Sequence, residues 1–187
     1  MKKAFLDSDI TRMITALTVV GMASGLLLVF VYTYAMPKIK INMSRDTERA
    51  IENIFPDLKE MTKTDDEGVY RITGKDGTLT GYAFIASGNG YQGEIKLVAG
   101  TDPALSAMKG MEVLESQETP GLGAEIAGKD FRGQFSGLSL AEPIEYVKNE
   151  KPDKPNEIEA ITGATISSRA VVRILNDKIA EMRKKLQ

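Results

Sequence analysis

From Ile14 to Met36 the chain reads ITALTVVGMASGLLLVFVYTYAM and carries no charged residue. At about 1.5 Å of rise per residue, a helix of this length spans roughly 34 Å, enough for a hydrocarbon core of ~30 Å with some tilt. A cleaved signal peptide has a shorter apolar stretch, roughly 7–15 residues, ending in a small-x-small site. No such site follows here, so residues 14–36 are expected to form an uncleaved transmembrane helix after a tail over 1–13. Tyr32 and Tyr34 are placed for the headgroup level, and Pro37 is expected to end the helix. Lys2, Lys3 and Arg12 lie before the span and Lys38, Lys40, Arg45 and Arg49 after it, so charge bias does not orient it.

The rest of the 187-residue chain is long enough for one domain with a core. Its formal net charge of -2 offers no basic footprint for nucleic acid. The chain has no Cys, no His and no Trp. That removes disulfides, thiolate clusters, a Cys nucleophile, the commonest general base and the commonest metal ligand, and no metal site is expected. Chemistry in such a chain has to come from a cofactor.

Residues 37–60 read as a connector. Ser44 is a candidate N-cap, with Asp46 and Glu48 in the first turn of a short solvated stalk helix. Ile51, Ile54 and Phe55 line one face of that helix, and Pro56 ends it. Strand patterns begin near Val69. Two runs, Val69–Thr73 and Leu79–Ala86, flank an Asp76-Gly77 hairpin signal. Gly88-Asn-Gly90 marks a second turn before a strand at Gly93–Gly100. Met111–Ser116, Ile144–Val147 and Glu157–Ile161 are further strand candidates, and Asn149–Pro155 reads as a surface loop. Val172, Leu175, Ile179, Met182 and Leu186 recur at helical spacing and predict a final amphipathic helix. Strands in runs with helices at the ends predict an α+β fold: a single N-terminal transmembrane helix, then a mostly antiparallel sheet with flanking helices over 61–187.

Two loops stand out. Thr162-Gly-Ala-Thr165 lies between a strand and the final helix, where free N–H groups and the positive dipole end suit a phosphate. A hydroxyl at a helix start is equally an ordinary N-cap, and on local pattern alone the cap is the simpler reading. Glu118-Thr-Pro-Gly-Leu-Gly123 is a dense turn that on its own joins two elements.

Taken together, ETPGLG at 118–123, TGAT at 162–165 and the Gly90-Tyr91-Gln92-Gly93-x-Ile95 stretch resemble the paired signatures of the FMN-binding domain family. That family includes the G subunit of the Rnf electron-transport complex and the C subunit of the sodium-translocating NADH:quinone reductase. The short tail, the single anchor and the total length also resemble it. The resemblance implies FMN joined through a phosphoester to Thr165, attached by a separate FMN transferase that uses FAD and a divalent metal. It implies that Thr162, Gly163, Ala164, Glu118, Thr119, Leu122 and Gly123 lie against the flavin, with Tyr91 and Gly93 as further contacts.

The chain departs from the family pattern in two places. Glu159 stands where Asp is usual, and Ser116-Gln117 where many members have His-Lys, so no proton role is assigned there. The implied function is electron transfer within an ion-translocating ferredoxin:NAD oxidoreductase, one subunit of a redox-driven translocase. The implied location is a cell membrane, with other subunits and lipid as partners and the large domain on the extracytoplasmic side. The quinone-reductase subunit, a stand-alone flavin reductase and a non-redox adaptor are the competing readings.

Overall fold

The computed structural model describes residues 9–186, so Lys2, Lys3 and the start of the expected tail lie outside the described residues. Two compact units are present, Met1–Arg45 and Asp46–Gln187.

Helix α1 runs from Asp9 to Ile54 and contains Pro37. Its apolar stretch is long and apolar enough to cross a membrane, and its side chains there are exposed. The expected stop at Pro37 does not occur. Proline removes one N–H and crowds the preceding turn, a cost of about 3 kcal/mol. A helix with good helix formers on both sides absorbs that cost, and Pro inside apolar helices is tolerated where neighbouring groups satisfy the freed carbonyl. The separate connector over 37–60 is therefore not formed, and Ser44 is a mid-helix residue rather than an N-cap.

The stalk reading also needs correction within the second unit. Ile51 is 0% exposed, and Ala50 and Phe55 are buried with it against Ile72, Ala83 and Val98 of the sheet. Ile51 and Phe55 do form an apolar face, as their spacing predicts, but that face packs into a core.

Strands β1 (Leu58–Lys63), β2 (Val69–Gly74), β3 (Leu79–Asn89), β4 (Glu94–Thr101) and β5 (Met108–Ser116) form one sheet in chain order, every pair antiparallel. The Asp-Gly hairpin is present: Gly77 has φ +79°, and the Asp76 carboxylate accepts from the Thr78 N–H at 3.1 Å. Strand β1 straddles the expected boundary between connector and domain at 60/61; its LKEMTK sequence has little of the β-branched alternation that marks a strand. Strands β6 (Glu145–Lys148) and β7 (Glu157–Ala160) pair in parallel as a separate two-stranded sheet, joined by the exposed loop through Pro155.

Side chains alternate across the main sheet. Phe84, Ala86, Ile95 and Leu97 face the larger core, which Val171, Leu175, Ile179 and Met182 of α3 (Thr165–Leu186) close from above. The spacing that predicts the final helix thus also predicts its buried face; the Leu186 side chain lies outside the described residues. A 3-10 turn (Gly123–Ala127) and the short helix α2 (Lys129–Gly133) lead from β5 back across this core. The α+β architecture stands as the sequence predicts.

Candidate functional site

The site is built from three chain segments: the tip of the β3–β4 hairpin, the loop after β5, and the first turn of α3. The hairpin turn lies slightly later than Gly88-Asn-Gly90 suggests. Asn89 still pairs with Glu94, and the Gly90 N–H bonds to the Gly93 carbonyl at 2.7 Å, leaving Tyr91 and Gln92 at the tip.

The turn into α3 closes without help from Thr165. The Ala164 N–H donates to the Ile161 carbonyl at 2.9 Å. Ser168 Oγ accepts from the Ile161 N–H at 3.0 Å and donates to the Ala164 carbonyl at 3.1 Å. Gly163 sits at φ +82°, a left-handed conformation that favours glycine. With Ser168 holding the turn, the hydroxyl of Thr165 has no hydrogen-bond partner among the described residues. The N-cap reading of Thr165 therefore loses its support. The backbone N–H groups of Thr165, Ile166 and Ser167 likewise have no partner among the described residues, as expected at the start of a helix, and they carry its positive dipole end.

A cleft of about 460 Å³ opens here, lined by Tyr91, Glu118, Thr119, Leu122, Gly123, Gly163, Ala164, Thr165, Ile166 and Ser167. Its size falls within the usual range of small-molecule sites, about 300–1,000 Å³. Three large apolar side chains rim it: Tyr91 is 65% exposed, Leu122 49% and Ile166 46%. Among the described residues, every other exposed large apolar side chain belongs to α1. Such a cluster on an otherwise polar surface marks a binding site.

Glu118 forms the floor. It is 5% exposed, yet both carboxylate oxygens are engaged. Oε1 accepts from the Tyr91 N–H at 2.6 Å and the Gln92 N–H at 3.0 Å, and Oε2 accepts from the Ser167 hydroxyl at 2.6 Å. Burial pushes its carboxyl up, but the Ser167 hydroxyl and the N–H groups of Gln92, Tyr91 and Gly93 outweigh burial. The group is held below the ordinary carboxylate value and is ionised at neutral pH.

The second glycine of ETPGLG has a physical reason. A Cβ on Gly123 would collide with the Glu118 carboxylate and stand 2.7 Å from Ser167 Oγ. Gly123→Ala is expected to cost about 1–3 kcal/mol by overpacking, seen as a lower urea midpoint. An unchanged midpoint would mean that the loop yields freely.

The structure thus gathers Thr165, Gly163, Ala164, Glu118, Thr119, Leu122, Gly123 and Tyr91 in one cleft. Thr162 is not part of its wall: its hydroxyl bonds instead to Asn149 Oδ1 at 3.3 Å. Gly93 is set back from the wall, with the Gln117 side chain against its α-carbon. The side chain of Glu159 is exposed, while its backbone is bracketed by Gln134 at 2.6 and 3.2 Å. Sequence reasoning missed Ile166 and the role of Ser167. Ile166 was detectable as an apolar residue off the buried stripe of α3. Ser167 was not, because its partner lies 49 positions away.

Residues 90–180 match the FMN-binding domain family. Over 92% of its length the chain is 33% identical to the G subunit of an ion-translocating oxidoreductase complex from Methanosarcina acetivorans, covering 94% of that protein. It is 28% identical to the G subunit of a proton-translocating ferredoxin:NAD(+) oxidoreductase complex from Clostridium ljungdahlii, over 89% of this chain and 88% of that one. The crystal structure of NqrC from Shewanella oneidensis has the same fold, with a TM-score of 0.55 at 20% identity, the match covering 65% of each chain.

Proposed function

This chain belongs to the FMN-binding domain family and, within it, to the G subunits of ion-translocating oxidoreductase complexes, and from that premise we propose that it carries FMN esterified to Thr165. It is the electron-transfer subunit of a membrane-bound complex of the ferredoxin:NAD oxidoreductase type. The carrying observation is the unbonded Thr165 hydroxyl standing in a cleft rimmed by the only large apolar side chains exposed outside α1 among the described residues.

The residues present fit the group. The free N–H groups of Thr165, Ile166 and Ser167 would hold the phosphate at the positive end of α3. Tyr91, Leu122 and Ile166 would flank an apolar ring system, and Thr119, Gly123 and Ala164 would complete the wall. Bound there, FMN supplies one- and two-electron chemistry that this chain, lacking Cys and His, does not have in its own side chains.

Attachment by an FMN transferase with FAD as donor balances simply. Thr165 Oγ forms the new P–O bond, the pyrophosphate bond breaks, AMP leaves, and the hydroxyl proton goes to solvent or the leaving group. An ester prevents loss of the cofactor when its charge changes. The membrane anchor adds a high effective concentration at partner subunits.

We place the second unit on the extracytoplasmic side of a cell membrane, with α1 as a single span through the bilayer. The likeness to NqrC concerns the fold, whereas the identity over nearly the whole length of the Methanosarcina protein favours the G-type subunit.

The test is to express the chain with and without an FMN transferase and view a denaturing gel under ultraviolet light. A band that fluoresces only with the transferase is expected. A dark band in both lanes overturns the proposal and favours a non-redox adaptor.

A further inference from the structure

The tip of the β3–β4 hairpin has no apolar anchor of its own. Tyr91 and Gln92 are both exposed, and within the turn only the Gly90–Gly93 bond closes it. Arg173 of α3 holds the Asn89 carbonyl just before the turn at 2.7 Å, and at the tip itself the Tyr91 and Gln92 N–H groups are held by Glu118. The same carboxylate takes the Ser167 hydroxyl from the first turn of α3. One buried anion therefore joins its own loop to two segments whose bonded residues lie 26 to 49 positions from it in the chain. Charge-assisted bonds of this kind are short and roughly twice as strong as neutral ones.

The surroundings are shaped to the carboxylate. A Cβ on Gly90 or on Gly123 would run into it, so both glycines are required by Glu118. None of its bonds reaches into the cleft. They go to the backbone beneath Tyr91 and to the helix that carries Thr165.

We propose that Glu118 is a positioning residue, which sets the place of Tyr91 over the cleft by tying the hairpin tip to the start of α3. The proposal rests on the FMN reading: the object being positioned is an aromatic ring beside a flavin. An electron-rich phenol packed on a flavin quenches its fluorescence, so the position of Tyr91 has an optical readout distinct from electron-transfer activity.

Side-chain length gives a sharp contrast. Gln at 118 has the same reach; its amide oxygen can accept from Tyr91 and Gln92, and its Nε2 can donate to Ser167 Oγ. Asp is one methylene short and cannot span from the tip to α3.

The experiment uses the full chain, loaded with FMN by the transferase and held in detergent. Fluorescence per attached flavin is compared before and after denaturation. The wild-type chain is expected to be quenched when folded, and Tyr91→Leu to lose that quenching. Glu118→Ala and Glu118→Asp are expected to lose it as well, and Glu118→Gln to keep it. Far-ultraviolet circular dichroism accompanies each variant. If Glu118→Ala does not fold, the Asp and Gln pair decides. Retained quenching in Glu118→Asp, or unchanged fluorescence in Tyr91→Leu, overturns the proposal. A wild-type chain with no flavin after denaturation fails differently, since it removes the FMN reading on which the proposal rests.

Discussion

Thr165→Ala is expected to abolish attached flavin completely while leaving the domain folded. The two halves of this prediction have separate physical grounds. The hydroxyl is the ester atom, and no other residue of the cleft wall combines a free hydroxyl with a place in the first turn of α3: Ser167 is committed to Glu118. Thr165 makes no capping bond, and the turn before α3 is closed by Ser168, which accepts from the Ile161 N–H and donates to the Ala164 carbonyl. Removing Oγ from Thr165 therefore breaks no hydrogen bond among the described residues. Its effect on stability should stay within about 0.5 kcal/mol, the range for substitutions that touch no special feature. A denaturing gel and a thermal melt on the same preparation check both parts. Flavin surviving in the variant would move the site elsewhere. A large loss of stability would restore Thr165 as a structural residue.

Ile51→Ala is expected to cost about 2–5 kcal/mol, the usual penalty for deleting a fully buried branched side chain. Ile51 sits beneath the second face of the sheet, against Ile72, Ala83 and Val98. The exposed neighbour Glu52 serves as the control, and Glu52→Ala should move stability by no more than about 0.5 kcal/mol. Urea midpoints of the detergent-solubilised chain measure both. Equal midpoints for the two variants would mean that the end of α1 is a stalk after all.

That contrast shows where the sequence was legible. The apolar span, the Asp76-Gly77 hairpin and the buried stripe of α3 were readable because each depends on local periodicity or turn chemistry. The continuity of α1 was not, because Pro37 and Pro56 are both ordinary stop signals, and nothing local tells an absorbed proline from a terminating one. Strand β1 was hidden for a similar reason: its charged LKEMTK sequence becomes a strand through pairing with β2.

The site divides in the same way. Resemblance placed Thr165, Glu118 and their neighbours in one set and implied the ester at Thr165, but it gave the surrounding loop residues no separate roles. On geometry, Thr162 leaves the set and Ile166 joins it. Glu118 turns from a wall residue into the tie between three segments, a role that only long-range contacts can reveal.

The central claim is that FMN is esterified to Thr165. The most direct test is peptide mass spectrometry of the chain isolated from a host that expresses the FMN transferase. The expected result is a single peptide containing Thr165, heavier by one FMN less one water, with fragment ions locating the added mass on that residue. An unmodified Thr165 peptide, or the same mass on Ser167 or any other residue, would contradict it.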